Sequence, residues 1–179
     1  FTEEQNMFRE AAREFYKREI APHSERWREA GIVDREAFLK AGEAGILCTW
    51  VPEEYGGLGL TDFRYEQILI EETAWYGDPC FFHTLHSRLV APYFGHFGTE
   101  EQKKRFLPRF VSGESILAIA MTEPDAGRDL AGMKSHAVRD GDDWILNGQK
   151  TYISNGILSD VVIVAAKTDP NAKHAMGLF

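Results

Sequence analysis

The 179-residue sequence lacks any apolar run long enough to cross a membrane, has only two cysteines, and carries fewer basic than acidic residues. Its longest uninterrupted apolar runs, Ile116 to Met121 and Val161 to Ala166, fall far short of the roughly 20 residues a spanning helix requires. Cys48 and Cys80 lie far apart with no C-x-x-C spacing, which argues against a disulfide framework or a thiolate metal site and for small buried apolar groups in a reducing compartment. Lys and Arg number 20 against 28 Asp and Glu, a formal charge of -8, so no basic face is on offer to nucleic acid. An anionic ligand must then be held locally, by backbone N–H groups in a glycine-rich turn, by a helix N-terminus or by one or two placed basic residues. His83 and His86 stand three apart with no third ligand in view, so they read as packing residues and no metal is expected. The opening Phe1-Thr2-Glu3-Glu4 shows neither an initiator Met nor the segments of a signal peptide and so gives no sign of export, and the expected location is the cytoplasm, or the mitochondrial matrix of a eukaryote.

What is present is 44% apolar residues, enough for one good core or two small ones. The first half has helical periodicity. Thr2-Glu3-Glu4-Gln5 is a capping box that opens a helix with Phe8, Ala11, Ala12 and Phe15 on one face, and Ala21-Pro22 is expected to end it. Asp34 is positioned to cap a helix carrying Phe38, Leu39 and Ala41, closed near Gly45. Val51 to Gly59 packs three glycines and a proline into nine residues and should form a specific turn. Thr61 or Asp62 caps a helix whose Tyr65, Ile68, Leu69 and Trp75 share a face, with Glu66, Glu71 and Glu72 supplying charge between them and Glu71-Glu72 read as a solvated face. A more apolar helix is expected from about Cys80 to Phe97, bent at Pro92, with Phe81, Phe82, Leu85 and Leu89 as a core stripe or a channel lining. Thr99-Glu100-Glu101-Gln102 is a second capping box, and Gly113 stops the helix it opens.

From Ser115 the period changes. Ile116 to Met121, Trp144 to Leu146, Tyr152 to Ser154 and Asp160 to Ala166 read as strands, and a last strand runs to Phe179. Asp140 to Asp143, Asn147-Gly148 and Thr168 to Asn171 read as turns. Helices followed by strands predict an α+β chain: an all-α domain over 1–114, then an incomplete antiparallel β-barrel or sandwich over 115–179.

Ala120-Met121-Thr122-Glu123-Pro124-Asp125-Ala126-Gly127-Arg128-Asp129 joins a strand to a turn able to present a hydroxyl and backbone N–H donors to a ligand. Alone, such a stretch is more often an ordinary tight turn. It resembles the signature of the acyl-CoA dehydrogenase family, Ala-Met-Thr-Glu-Pro, two variable residues, Gly, Ser or Thr, Asp. Val51 to Gly59 is similar to that family's V-P-x-x-Y-G-G-x-G loop, Gly98 to Glu114 to its G-T-E-E-Q-K segment, and Asn147 to Gly156 to its N-G-x-K-x-x-I-S-N-G segment. Four motifs in the family's order reinforce one another far beyond any single match.

The resemblance implies an amino-terminal helical domain, a middle β-barrel, and a carboxy-terminal four-helix bundle that this chain does not contain. It implies FAD as cofactor, contacted by Met121, Thr122, Gly127, Arg128, Tyr152 and Ser154, with Tyr152 packing on the ring and Ser154 near flavin N5. Arg128 stands where the family usually has Ser or Thr, and its guanidinium is expected to pair with a pyrophosphate oxygen. The reaction implied is α,β-dehydrogenation of an acyl-CoA thioester, long-chain by similarity of the segment from Asp143 to Val162, with electrons passing to an electron-transferring flavoprotein in a homo-oligomer (a dimer or tetramer). The family's catalytic Glu lies in the bundle, so no catalytic residue is assigned here. The alternatives are an acyl-CoA oxidase-like flavoenzyme and a non-catalytic flavin- or CoA-binding fragment.

Overall fold

The computed structural model describes residues 1–169 and 175–179, and the chain separates into two compact units, Phe1–Ile116 and Leu117–Phe179. The first unit is helical: α1 (Glu3–Phe15), α2 (Ser24–Ala30), α3 (Arg35–Glu43), α4 (Phe63–Tyr76), α5 (Ala91–Phe97) and α6 (Glu100–Val111). Both capping boxes form: the Thr2 and Thr99 hydroxyls accept from the amides of Gln5 and Gln102, whose side chains accept from the Thr amides in return. Asp34 caps α3 by position only, because its carboxylate is taken by Arg26.

Pro22 does not end the first helix. The backbone widens into a π-helical turn at Tyr16–Ile20, in which the Ala21 amide reaches back to the Tyr16 carbonyl, then tightens through Ala21–His23 and continues as α2. The same device precedes Pro92, where the π-helical stretch Leu85–Val90 ends with the Ala91 amide on the His86 carbonyl. A proline within a helix lacks a donor and crowds the carbonyl four residues back, and one wider turn upstream relieves both. The helix expected from Cys80 accordingly begins only at His83.

The helices meet on a mainly aromatic core. Phe38 packs edge-on against Phe81 at 4.9 Å, and Phe110 against Phe94 at 5.0 Å, with buried His86 between Phe38 and Phe110. His86 Nε2 bonds the Phe110 carbonyl at 2.9 Å, and His83 Nε2 meets the Tyr16 hydroxyl at 3.1 Å and the Thr73 hydroxyl at 3.0 Å. Both are core histidines. Cys48 is buried, as expected of a small apolar group, whereas Cys80 is exposed. Phe81 is in the core, while Phe82 and Leu89 are exposed, so the expected stripe is split.

Along α4 the burial differs from the expected pattern. Residue 76 lies eleven positions from Tyr65, three turns and about 20° round the helix, whereas residue 75 lies about 80° off that line. Tyr76 therefore meets α1, under the cations of Arg13 and Lys17, and Trp75 is 79% exposed. Glu72 lies on the buried line too. It is not solvated: Arg13 reaches it at 2.8 Å and Arg9 at 3.0 Å. Glu66 is likewise buried, paired with Arg88 at 3.0 Å. The Val51–Gly59 turn is as specific as its composition implies, since a Cβ on Gly57 would sit 2.0 Å from the Val51 carbonyl oxygen.

The second unit is a sheet of β1 (Leu117–Ala120), β2 (His136–Asp140), β3 (Asp143–Asn147), β4 (Val161–Lys167) and β5 (Met176–Leu178), in the order β1-β4-β2-β3 with β5 on β4. The segregated α+β architecture is as the sequence predicts, but the sheet is mixed rather than wholly antiparallel. β1 and β4 run parallel, Leu117 beside Val161 through Ala120 beside Val164. The 40 or so residues between β1 and β4 are long enough for the crossover that parallel neighbours require. β2 and β3 form the hairpin expected at Asp140 to Asp143. The strand expected at Tyr152 to Ser154 is absent: Tyr152 and Asn155 have φ of 56° and 61°, left-handed values that break a pleat. The turn expected at 168–171 falls on Pro170 and Asn171, outside the described residues.

Burial holds His83 down at about 3 and His86 at about 4. In the unfolded chain both return to about 6.5, so it takes up protons first as pH falls. Stability is full above the unfolded value and drops below it, by up to about 1.4 kcal/mol per pH unit for each histidine. Urea titrations followed by tryptophan fluorescence from about pH 7 to about pH 5 should record this loss, and a His86→Gln variant should flatten its slope. An unfolding free energy independent of pH over that interval would show that these rings are not the buried neutral groups described.

Candidate functional site

The site expected from sequence lies wholly in the second unit and begins where β1 ends. After Ala120 the chain passes through Met121 and Thr122 into a two-residue turn, Pro124-Asp125, closed by the Glu123 amide on the Ala126 carbonyl at 2.8 Å and the reverse bond at 3.2 Å. Proline at the first turn position sets its φ without losing a needed donor. Gly127 and Arg128 follow, both exposed, and the Asp129 carboxylate then caps a short 3-10 turn at Leu130–Gly132.

A second segment, 150–155, runs back alongside this stretch. Lys150 Nζ donates to the Met121 carbonyl at 3.0 Å, the Thr151 amide to the Thr122 carbonyl at 3.0 Å, and the Asn155 side chain to the Leu117 carbonyl at 3.2 Å. Tyr152 and Ser154 are therefore carried beside Met121 and Thr122. Tyr152 is 92% exposed on its left-handed backbone. Among the described residues the Thr122, Tyr152 and Ser154 hydroxyls, the Thr122 amide and the Arg128 guanidinium have no hydrogen-bond partner. Gly127 and Arg128 stand apart, beyond the Glu123 turn, and nothing crowds the Cα of Gly127. A cavity of about 340 Å³ in this unit is lined by Glu123, Pro124, Ser135, His136, Asn147 and Gln149 among others, and takes in none of the six expected site residues.

What fastens the two segments is an ion pair that periodicity and motif reading passed over. Glu123 keeps only 4% of its side chain exposed, and its Oε1 accepts from Lys150 Nζ at 2.8 Å and from the Ser135 amide at 3.0 Å, its Oε2 from the Lys134 amide at 2.6 Å. Burial works to raise its pKa, but the Lys150 hydrogen bond and those at Lys134 and Ser135 overcome it and hold the carboxyl at about 2. The partners are 27 residues apart, so no helical or strand period reveals them. The one local sign is that each is a long charged residue inside a stretch otherwise made of turn and apolar residues. Gly148 admits the close approach: a Cβ there would lie 2.1 Å from Ser135 Oγ.

Family models of the acyl-CoA dehydrogenase N-terminal domain and middle domain match residues 2–114 and 118–179. The chain belongs to the acyl-CoA dehydrogenase family. It is 46% identical over 184 aligned positions to the mitochondrial long-chain specific acyl-CoA dehydrogenase of Sus scrofa, covering all of this chain and 42% of that protein. Among solved structures it is similar to an acyl-CoA dehydrogenase of Geobacillus kaustophilus, with a TM-score of 0.94 and 48% identity over 99% of this chain and 47% of the other. It is also similar to a glutaryl-CoA dehydrogenase of Mycobacterium smegmatis solved in complex with FADH2, with a TM-score of 0.90 and 33% identity over 100% of this chain and 45% of the other. The chain thus spans under half the length of these acyl-CoA dehydrogenases. None of its helices, among the described residues, is long and apolar enough to cross a membrane, and no group of three or more His, Cys, Asp or Glu side chains in them could hold a metal ion.

Removing Lys150 alone strands a buried carboxylate, which typically costs about 3–5 kcal/mol. Lys150→Met should therefore lower the urea midpoint sharply, and Glu123→Gln in the same chain should recover part of it, by removing the stranded charge although its NH2 then faces one of the two backbone N–H donors. Acid should act likewise: the Glu123 contribution is present above its unfolded value of 4.5 and is lost as pH falls toward its folded value of about 2. Equal stability of Lys150→Met and the parent would contradict this geometry.

Proposed function

We propose that the protein carrying this chain is an FAD-dependent acyl-CoA dehydrogenase acting on long acyl thioesters, and that this segment supplies one wall of the flavin site. The observation that carries the reading is the convergence of Thr122, with its unpartnered amide and hydroxyl, on the segment that exposes Tyr152 and carries Ser154. Polar donors at an edge and an aromatic side chain beside them suit a flat, electron-accepting ring system, which needs donors to hold added electron density and a face to fix its plane.

FAD, when bound, accepts the hydride that leaves the substrate β-carbon as a proton leaves the α-carbon, giving a trans-2-enoyl thioester. Met121 contributes its backbone, Thr122 its hydroxyl and amide, and Ser154 a hydroxyl near the ring. Tyr152 would supply the aromatic face that packs on the ring. Gly127 lets the ligand approach the backbone, and Arg128, free among the described residues, offers a charge-assisted fork to a pyrophosphate oxygen. The α-proton goes to a carboxylate outside this chain, whose basicity depends on desolvation. Electrons leave to an electron-transferring flavoprotein, and the protein works as a homo-oligomer in the cytoplasm or, in a eukaryote, the mitochondrial matrix; the Sus scrofa relative is named as mitochondrial.

The whole gene product, purified, should be yellow, release FAD on denaturation, and reduce an electron acceptor with acyl-CoA substrates, fastest with long chains. Tyr152→Ala should lower bound flavin, and Arg128→Ala should weaken FAD binding by about tenfold, the size of one charge-assisted hydrogen bond. A colourless, inactive wild-type product overturns the proposal. Unchanged FAD affinity in Arg128→Ala removes the pyrophosphate contact alone.

A further inference from the structure

Lys150 makes a bond that ion pairing does not require. Glu123 already accepts two backbone amides, and one bond from Lys150 Nζ completes its neutralisation. Yet the same ammonium, with 12% of the side chain exposed, also donates to the carbonyl of Met121 at 3.0 Å. That carbonyl and the Thr122 N–H belong to one peptide unit. A charged donor on the oxygen of an amide draws density from its nitrogen and makes the N–H a stronger donor, and such polarisation is passed on more effectively where little water intervenes. The Thr122 N–H has no partner among the described residues, so the strengthened donor is left for a ligand.

We infer that Lys150 is a positioning residue of the flavin site: anchored by Glu123, its ammonium fixes the Met121–Thr122 peptide and strengthens the Thr122 N–H toward the edge of the flavin that gains negative charge on reduction. The inference rests on the flavin-wall reading given above. Lys150 touches no ligand and acts through the peptide. A passive strut would also hold the two segments together, but it would leave the electronic properties of the bound flavin unchanged. The peptide-polarising role changes them.

The test uses the flavin-loaded whole gene product and compares Lys150→Met, Lys150→Arg, the double variant Glu123→Gln/Lys150→Met, and Tyr152→Ala. FAD affinity and the midpoint reduction potential of the bound flavin are read beside the urea midpoint. Should Lys150→Met fail to fold, the double variant carries the measurement, since it leaves no uncompensated buried charge. It should bind FAD about tenfold more weakly and shift the potential to more negative values, because the reduced form loses the strengthened donor. Lys150→Arg, which keeps a charged donor, should restore much of both. A double variant with wild-type affinity and potential, alongside a Tyr152→Ala that binds FAD poorly, overturns the role of Lys150 and leaves the flavin wall standing. If Tyr152→Ala also binds FAD normally, the flavin wall itself is wrong and the inference falls with it.

Discussion

A carboxylate withdrawn almost wholly from water stays charged only if every lone pair facing the interior meets a donor, and Glu123 is the residue on which this condition organises the sheet unit. Its three donors come from two places besides its own turn: the amides of Lys134 and Ser135 just before β2, and the ammonium of Lys150 just after β3. Satisfying one side chain therefore fixes where three stretches of backbone pass. Hydrophobic burial could not set this register, because the β2–β3 hairpin keeps Val138, Trp144, Ile145 and Leu146 substantially exposed. The polar centre supplies the specificity that packing in this hairpin does not.

The helical unit uses the same chemistry differently. Glu72 sits on the face of α4 that meets α1, and burial works against its charge, yet Arg13 and Arg9 outweigh that and keep its carboxyl below the usual range. Glu66, with Arg88 alone beside it, is pushed up instead. Two differences act together: Glu66 is the more deeply desolvated and has one guanidinium to offset it, whereas Glu72 has two. In the helical unit Glu72 is a residue that periodicity assigns to solvent, and in the sheet unit Glu123 and Lys150 lie where no helical or strand period applies.

This explains what was legible in the sequence. Elements specified by neighbours in the chain were readable: the capping boxes at Thr2 and Thr99, the glycine-rich turn before Gly59, and the hairpin at Asp140 to Asp143 each depend on residues three or four apart. Features that depend on distant partners were not. Nothing local to Pro22 or Pro92 announces that a π-helical turn upstream will carry the helix across it, nor does anything near Leu117 announce a parallel partner at Val161. The candidate site was half readable. Thr122 and Ser154 stand out through resemblance, whereas Glu123 and Lys150, which bring their segments together, lie within the same motifs and show that role only in the folded chain. Trp75 and Tyr76 show how fine the margin is, for one position along a helix exchanges a half-buried ring for an exposed one.

Strain at the site follows from the same fastening. Tyr152 holds a left-handed backbone, which costs a non-glycine residue on the order of 1 kcal/mol, and Asn155 does the same three residues on. Such conformations persist only where flanking bonds over-determine the path, and here both flanks are tied: Lys150 and Thr151 to Met121 and Thr122 on one side, the Asn155 side chain to the Leu117 carbonyl on the other. Between those ties the chain has no ladder to join, so it bulges and turns Tyr152 outward. An extended strand across 152–154 would satisfy more backbone and would direct alternate side chains to opposite faces of the sheet. Breaking the pleat gives up that regularity, and in exchange it exposes an aromatic ring beside a free hydroxyl and a free amide. The strain is therefore best understood as the cost of presenting a surface, borne by the buried charge pair behind it.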